Sequence, residues 1–156
     1  MTLSTTDLGF SYQPGEPVLQ ALSLDFSRGQ VTGVLGANGC GKSTLFMTLL
    51  GVLKPQQGQV CFNGEPLRYS KSALQALRQQ VSMVFQDPDQ QIFYTDVVSD
   101  IAFSLRNLGL DETLIQARVD QALALVDGNC LRHKPIQYLS HGQKKRVAIA
   151  GALVME

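Results

Sequence analysis

The chain has 156 residues, 44% apolar and 17% charged, a composition suited to one globular domain with a sizeable core. Thirteen Lys and Arg balance thirteen Asp and Glu, so no basic excess points to nucleic acid or to an anionic lipid surface. The first residues lack a cationic and apolar leader, the longest apolar runs (45–53 and 148–155) are too short to cross a bilayer, and Cys40, Cys61 and Cys130 form no Cys-x-x-Cys pair. Unpaired cysteines fit a reducing compartment, and the isolated His133 and His141 provide no metal centre of the chain's own side chains.

In chain order, the first elements are β. Leu22, Leu24 and Phe26 alternate with Ser23, Asp25 and Ser27, the period-two pattern of a half-buried strand. Residues 31–35 read as a short buried strand that leads straight into Gly36-Ala37-Asn38-Gly39-Cys40-Gly41-Lys42-Ser43-Thr44. This nonapeptide fits the phosphate-binding loop pattern, and a buried helix is expected over 42–50. A strand, loop and helix in this order turn backbone N–H groups and a positive helix end toward polyphosphate. Gly36, Gly39 and Gly41 let the backbone curl around the anion, Lys42 can reach the terminal phosphates, and the Ser43 hydroxyl can ligate magnesium.

Val60 and Phe62 flank Cys61 between two glycines, a second short strand. Residues 70–80 read as a helix that runs into a buried strand over 81–85. Beyond Asp87-Pro88 the character turns helical, with one helix over 97–105 and another capped by Asp111, whose apolar face is Leu114, Ile115, Val119, Ala122, Leu123 and Val126. Between them, Gln90, Gln91 and Asp96 are expected to be exposed among Ile92, Phe93, Tyr94 and Phe103. That mixture suits docking of a partner helix or, alternatively, forms the helical segment's own core.

Leu139-Ser140-His141-Gly142-Gln143 precedes a helix expected over 144–155, with Ser140 and Gln143 at capping-box spacing. Lys144, Lys145 and Arg146 crowd its first turns, where the helix dipole disfavours cations, so a docked anion would offset their repulsion. A well-capped helix with a solvated basic face accounts for the same residues. There is no internal repeat and no low-complexity linker.

A phosphate loop followed about a hundred residues later by Leu-Ser-x-Gly-Gln resembles the nucleotide-binding domain of ABC (ATP-binding cassette) proteins. Tyr12, in Phe10-Ser11-Tyr12, matches the family's adenine-stacking aromatic, and Gln86 matches the glutamine that contacts magnesium or the attacking water. The stretches 84–93 and 140–146 are more specifically similar to the energy-coupling-factor and cobalt-uptake branch, with His141 where most relatives carry Gly.

The resemblance implies an α/β P-loop NTPase fold of ABC type, with a β-rich N-terminal lobe, a P-loop core sheet and a helical insert over about residues 87–140 ending in the signature motif. Residues 1–156 would be the N-terminal part of one nucleotide-binding domain, C-terminally incomplete. It implies ATP and Mg2+ as cofactors, with Tyr12, Gly36, Asn38, Gly39, Cys40, Gly41, Lys42, Ser43 and Thr44 at one nucleotide. Ser140, Gly142 and Gln143 would serve the opposite nucleotide of a homo- or heterodimer. Lys42 and Gln86 are the implied catalytic residues, and Ser43 and Gln86 the metal contacts. The partners implied are a second ATP-binding subunit and integral membrane transport subunits docking near 86–103, at the cytoplasmic face of the membrane and without nucleic acid.

In the family the signature helix leads to a hydrophobic strand ending in adjacent acids that hold magnesium and polarise water. No Asp-Glu pair after four apolar residues occurs in this sequence. The expectation is a fragment with the phosphate cradle but without the groups that activate water, unable to turn over alone and poorly folded without a buried strand. Two other readings stand beside the importer: a catalytically inactive nucleotide-binding remnant, and a non-transport ABC ATPase, which would be expected to carry long inserts or a second cassette.

Overall fold

Two long strands open the chain, β1 (Thr2–Gln13) and β2 (Glu16–Ser27), folded back on each other across Pro14-Gly15 in the computed structural model, which describes residues 2–155. On β1 the buried side chains are Leu3 and Thr5, then Leu8 and Phe10. The change from odd to even positions coincides with a register shift between Thr5 and Leu8, where Asp7 adopts a φ of 47°. A bulge that inserts one residue moves the following side chains to the other face, so both halves of the strand can point inward. Strands β3 (Gln57–Phe62) and β4 (Glu65–Pro66) complete an antiparallel sheet of order β2-β1-β3-β4. The strand expected over 22–27 forms as part of β2, the edge strand of the sheet, but the expected alternation in burial does not: Leu24 is exposed like Ser23 and Asp25, and Phe26 is half-buried like Ser27.

Helices α1 (Lys42–Leu49) and α2 (Lys71–Arg78) also belong to the first of two compact units, Met1–Val81 and Ser82–Glu156. Leu8, Leu19, Leu45, Leu49, Val60 and Leu77 form the centre of its core. Both expected buried strands fail to form. Val31 and Leu35 are almost wholly exposed, at 103% and 96%, and neither 31–35 nor 81–85 pairs with a strand among the described residues. An apolar run becomes a strand only when a neighbour supplies backbone partners, and the four strands that pair here do not adjoin either run.

The second unit is helical: α3 (Val97–Asn107), α4 (Glu112–Leu125) and α5 (His141–Leu153) pack around Ile101, Leu105, Ile115, Val119, Leu123 and Val147. Asp96 and Asp111 cap α3 and α4, accepting from Ser99 N and Thr113 N at 2.8 Å each. Leu114, expected on the buried face of α4, is 45% exposed. It lies about 100° around the helix from Ile115, outside the stripe that Ile115, Val119 and Leu123 bury. Helix α5 begins at His141 rather than Lys144, because the cap at Ser140 makes His141 the first helical residue.

Candidate functional site

The phosphate-binding loop arrives at α1 through Gly41, whose φ of 95° is left-handed and whose side offers no cap to the helix. A Cβ at Gly41 would lie 3.1 Å from the Val18 carbonyl oxygen, so both conformation and space require glycine. At Gly36 the constraint is the loop itself, since a Cβ there would come within 2.6 Å of the Cys40 sulfur. The first helical bond runs from Leu45 N to Gly41 O at 2.9 Å. The N–H groups of Lys42, Ser43 and Thr44 therefore lie ahead of the helical ladder, at its positive end.

The Lys42 ammonium folds back over this loop. It donates to the carbonyl oxygens of Gly36 and Ala37 at 2.8 Å each and lies 3.7 Å from the Cys40 sulfur. Asn38, Gly39, Cys40 and the Ser43 hydroxyl are exposed around it, while Thr44 is buried. Among the described residues no three His, Cys, Asp or Glu converge on a possible metal position. The hydroxyl of Ser43 fits a hard cation such as magnesium, which takes oxygen ligands and relies on substrate phosphates for the rest.

Tyr12 comes to the same loop from β1. Its hydroxyl is 3.2 Å from Thr44 Oγ1 and its ring meets Phe10 edge-on with centroids 5.0 Å apart, yet the side chain stays 61% exposed. A large aromatic held firmly but left open on one side is suited to stacking.

Gln86, Ser140, Gly142 and Gln143 all lie in the second unit. Ser140 and Gln143 form the full capping box: Gln143 N donates to Ser140 Oγ at 3.3 Å and Ser140 N to Gln143 Oε1 at 3.0 Å. The cations behind it are met by the protein's own acceptors. Lys144 pairs with Asp89 at 2.6 Å, Lys145 donates to the Gln86 carbonyl at 3.1 Å, and Arg146 donates to the Asp127 carbonyl at 2.9 Å. Their crowding thus does not call for a bound anion, as the sequence had suggested. Gly142 is exposed in the first turn.

These contacts also fasten the loop after Gln86 to α5. Gln91, expected to be exposed, is half-buried and uses both ends of its amide, accepting from Phe85 N at 3.1 Å and donating to Ala148 O at 3.0 Å. Nothing local in the sequence signals this contact across 57 positions. Gln90 and Asp96 are exposed as expected. Phe93, Tyr94 and Phe103 gather with centroids 4.9–5.9 Å apart and remain 65%, 39% and 38% exposed, so they are not the segment's core, whereas Ile92 packs against that core. Asp100 anchors this trio by accepting from Phe93 N at 3.1 Å and Tyr94 N at 3.2 Å, and burial pushes its carboxyl pKa above the usual range.

Comparison with known proteins gives these features their setting. The ABC transporter family profile matches residues 19–156. The cobalt import ATP-binding protein CbiO of Salmonella typhimurium is 68% identical over 99% of this chain and 56% of its own length. The energy-coupling factor transporter ATP-binding protein EcfA of Methanocaldococcus jannaschii is 44% identical over 99% and 55%. The solved structure of cbiO1 from Clostridium perfringens, titled as part of the ABC transporter complex cbiONQ, superposes with a TM-score of 0.89 at 44% identity, covering 98% of this chain and 61% of that one. The chain spans a little over half the length of the relatives it matches. With a phosphate loop, a Leu-Ser-x-Gly-Gln helix start and this α/β fold in one continuous match, the chain belongs to the ABC transporter family.

Proposed function

We propose that this chain is part of an ABC importer's ATP-binding subunit that couples ATP binding and hydrolysis to the uptake of cobalt or a related micronutrient. The observation that carries this reading is the open start of α1, where three backbone N–H groups precede the ladder and the Lys42 ammonium rests on two carbonyls of its own loop. A triphosphate entering the loop would draw Lys42 from those carbonyls to its β and γ oxygens, exchanging neutral acceptors for charged ones. Ser43 would hold magnesium, which supplies charge neutralisation on the phosphates, with Gln86 as the second contact at the metal or the attacking water. Tyr12 would stack on the base.

In this reading residues 1–156 are the N-terminal part of one nucleotide-binding domain, with the helical insert over about residues 87–140. Ser140, Gly142 and Gln143 face the nucleotide held by a second ATP-binding subunit. In the same reading the exposed Phe93, Tyr94 and Phe103 are apolar anchors for a membrane subunit, and the protein would be a peripheral component at the cytoplasmic face of the membrane. No helix among the described residues is long and apolar enough to cross a bilayer. The cobalt assignment is supported by the 68% identity to a cobalt import ATP-binding protein.

The test is cobalt uptake into liposomes carrying the full-length protein with its membrane subunits. Uptake should require ATP, and Phe93→Ala with Tyr94→Ala should lower uptake while sparing basal ATP hydrolysis. Uptake independent of ATP would sink the proposal, and equal loss of uptake and hydrolysis would remove the aromatic trio from the docking surface.

A further inference from the structure

Strand β3 ends its pairing with β1 at the couple Gly9 and Gln57, so Ser11 lies beyond the last main-chain partner on that side. On the other side Ser11 is opposite Pro17, which has no N–H to offer. Ser11 is nevertheless fully paired. Its N–H donates to Gln56 Oε1 and its carbonyl accepts from Gln56 Nε2, both at 2.7 Å, while Gln56 N donates to Gly9 O at 3.0 Å. The primary amide of Gln56 presents one acceptor and one donor in the arrangement of a peptide group, and so extends the β ladder by one residue with a side chain.

The residue immediately after this side-chain rung is Tyr12. Its ring rests edge-on against Phe10 and its hydroxyl meets Thr44 at the start of α1. The backbone that carries the ring is held by Gln56, its body by Phe10 and its tip by Thr44. Holding a 61% exposed aromatic in one orientation lowers the entropy lost when a planar ligand lands on it. We infer that Gln56 is a positioning residue for the nucleobase, acting through Tyr12 and not on the phosphates. This rests on the reading of the loop as an ATP site. The chemistry Gln56 serves is recognition of a flat heterocycle attached to the triphosphate.

The experiment compares Mg-ATP with inorganic tripolyphosphate by calorimetry on the full-length protein. The variants are Gln56→Met, which keeps the length of the side chain and removes both hydrogen-bonding groups, Tyr12→Ala, and the two combined. Gln56→Met is expected to weaken Mg-ATP about threefold to tenfold, the loss that follows from one ordered contact, and to leave tripolyphosphate within about twofold. In the Tyr12→Ala background the same change should have no further effect on ATP. Equal weakening of both ligands would overturn the inference and assign Gln56 to the stability of the β lobe. Unchanged ATP affinity in Gln56→Met, with Tyr12→Ala weakened, would remove Gln56 from the site but keep Tyr12. No effect of Tyr12→Ala on ATP would overturn the inference together with the stacking role of Tyr12, while binding of neither ligand by the unaltered protein would instead refute the ATP site.

Discussion

Two helix starts in this molecule look alike in sequence and differ in physics. Helix α1 follows a glycine-rich loop and has no side-chain cap, so its first N–H groups have no acceptor from a cap and its nearest cation is shared between two carbonyls. Helix α5 is closed. A reciprocal capping box satisfies its terminus, and Lys144, Lys145 and Arg146 each reach an acceptor supplied by Asp89, Gln86 or Asp127. A helix terminus attracts an anion through unsatisfied donors and its dipole, and capping removes much of the first term. The first unit therefore leaves donors free at a helix start, the feature on which the proposed phosphate site rests. The second offers a well-ordered surface that a nucleotide held elsewhere would have to meet.

The largest effect should come from the open end. In the full-length protein Lys42→Ala should weaken Mg-ATP tenfold to hundredfold by calorimetry, the loss of one charge-assisted contact worth roughly 1.5–3 kcal/mol. Undiminished affinity would erase the contrast between the two starts, since the loop would then bind without its cation.

The closed end should respond in stability instead. Ser140→Ala removes half of the capping box and should lower unfolding free energy by about 1 kcal/mol in denaturant titration. It should leave ATP affinity of the isolated subunit unchanged, because in the proposed arrangement Ser140 faces only the nucleotide held by a second subunit. A loss of ATP affinity without a loss of stability would show that Ser140 contacts the nucleotide held by its own subunit.

The smallest effect concerns Asp100, which plays for Phe93 and Tyr94 the part that Ser140 plays for α5. Its carboxyl titrates above the usual value of 3.8, first because of burial and to a lesser degree because of the Asp96 charge, with the Phe93 and Tyr94 amides pulling the other way. The folded state thus holds the proton more tightly than the unfolded chain. The stability linked to this group is fully present below the unfolded pKa and falls as pH rises through the folded one. Asp100→Asn removes the titration and keeps an acceptor for both amides. Relative to this variant, the unaltered protein should lose stability as pH is raised from about 3 through the elevated pKa of Asp100. The opposite slope would mean that the two amide bonds outweigh burial.

Much of the candidate site was legible because its chemistry is local. The left-handed turn at Gly41, the Ser140 to Gln143 box and the Asp111 cap depend on neighbours within a few positions, and each forms as its residue type dictates. The two expected strands at 31–35 and 81–85 were not legible from their apolar character. A strand needs hydrogen-bonding partners from distant sequence, and none pairs with these runs among the described residues.

The sequence by itself determined the glycine-rich turn into α1, the capped helices and the family, because short-range geometry and residue chemistry suffice for them. Only the tertiary structure decided where the basic side chains of α5 discharge, that Gln91 ties the loop after Gln86 to Ala148, and that Gln56 completes the strand beneath Tyr12. These contacts join groups 19 to 59 positions apart, where no periodicity or spacing rule reaches and only the packing of the folded chain brings donor to acceptor.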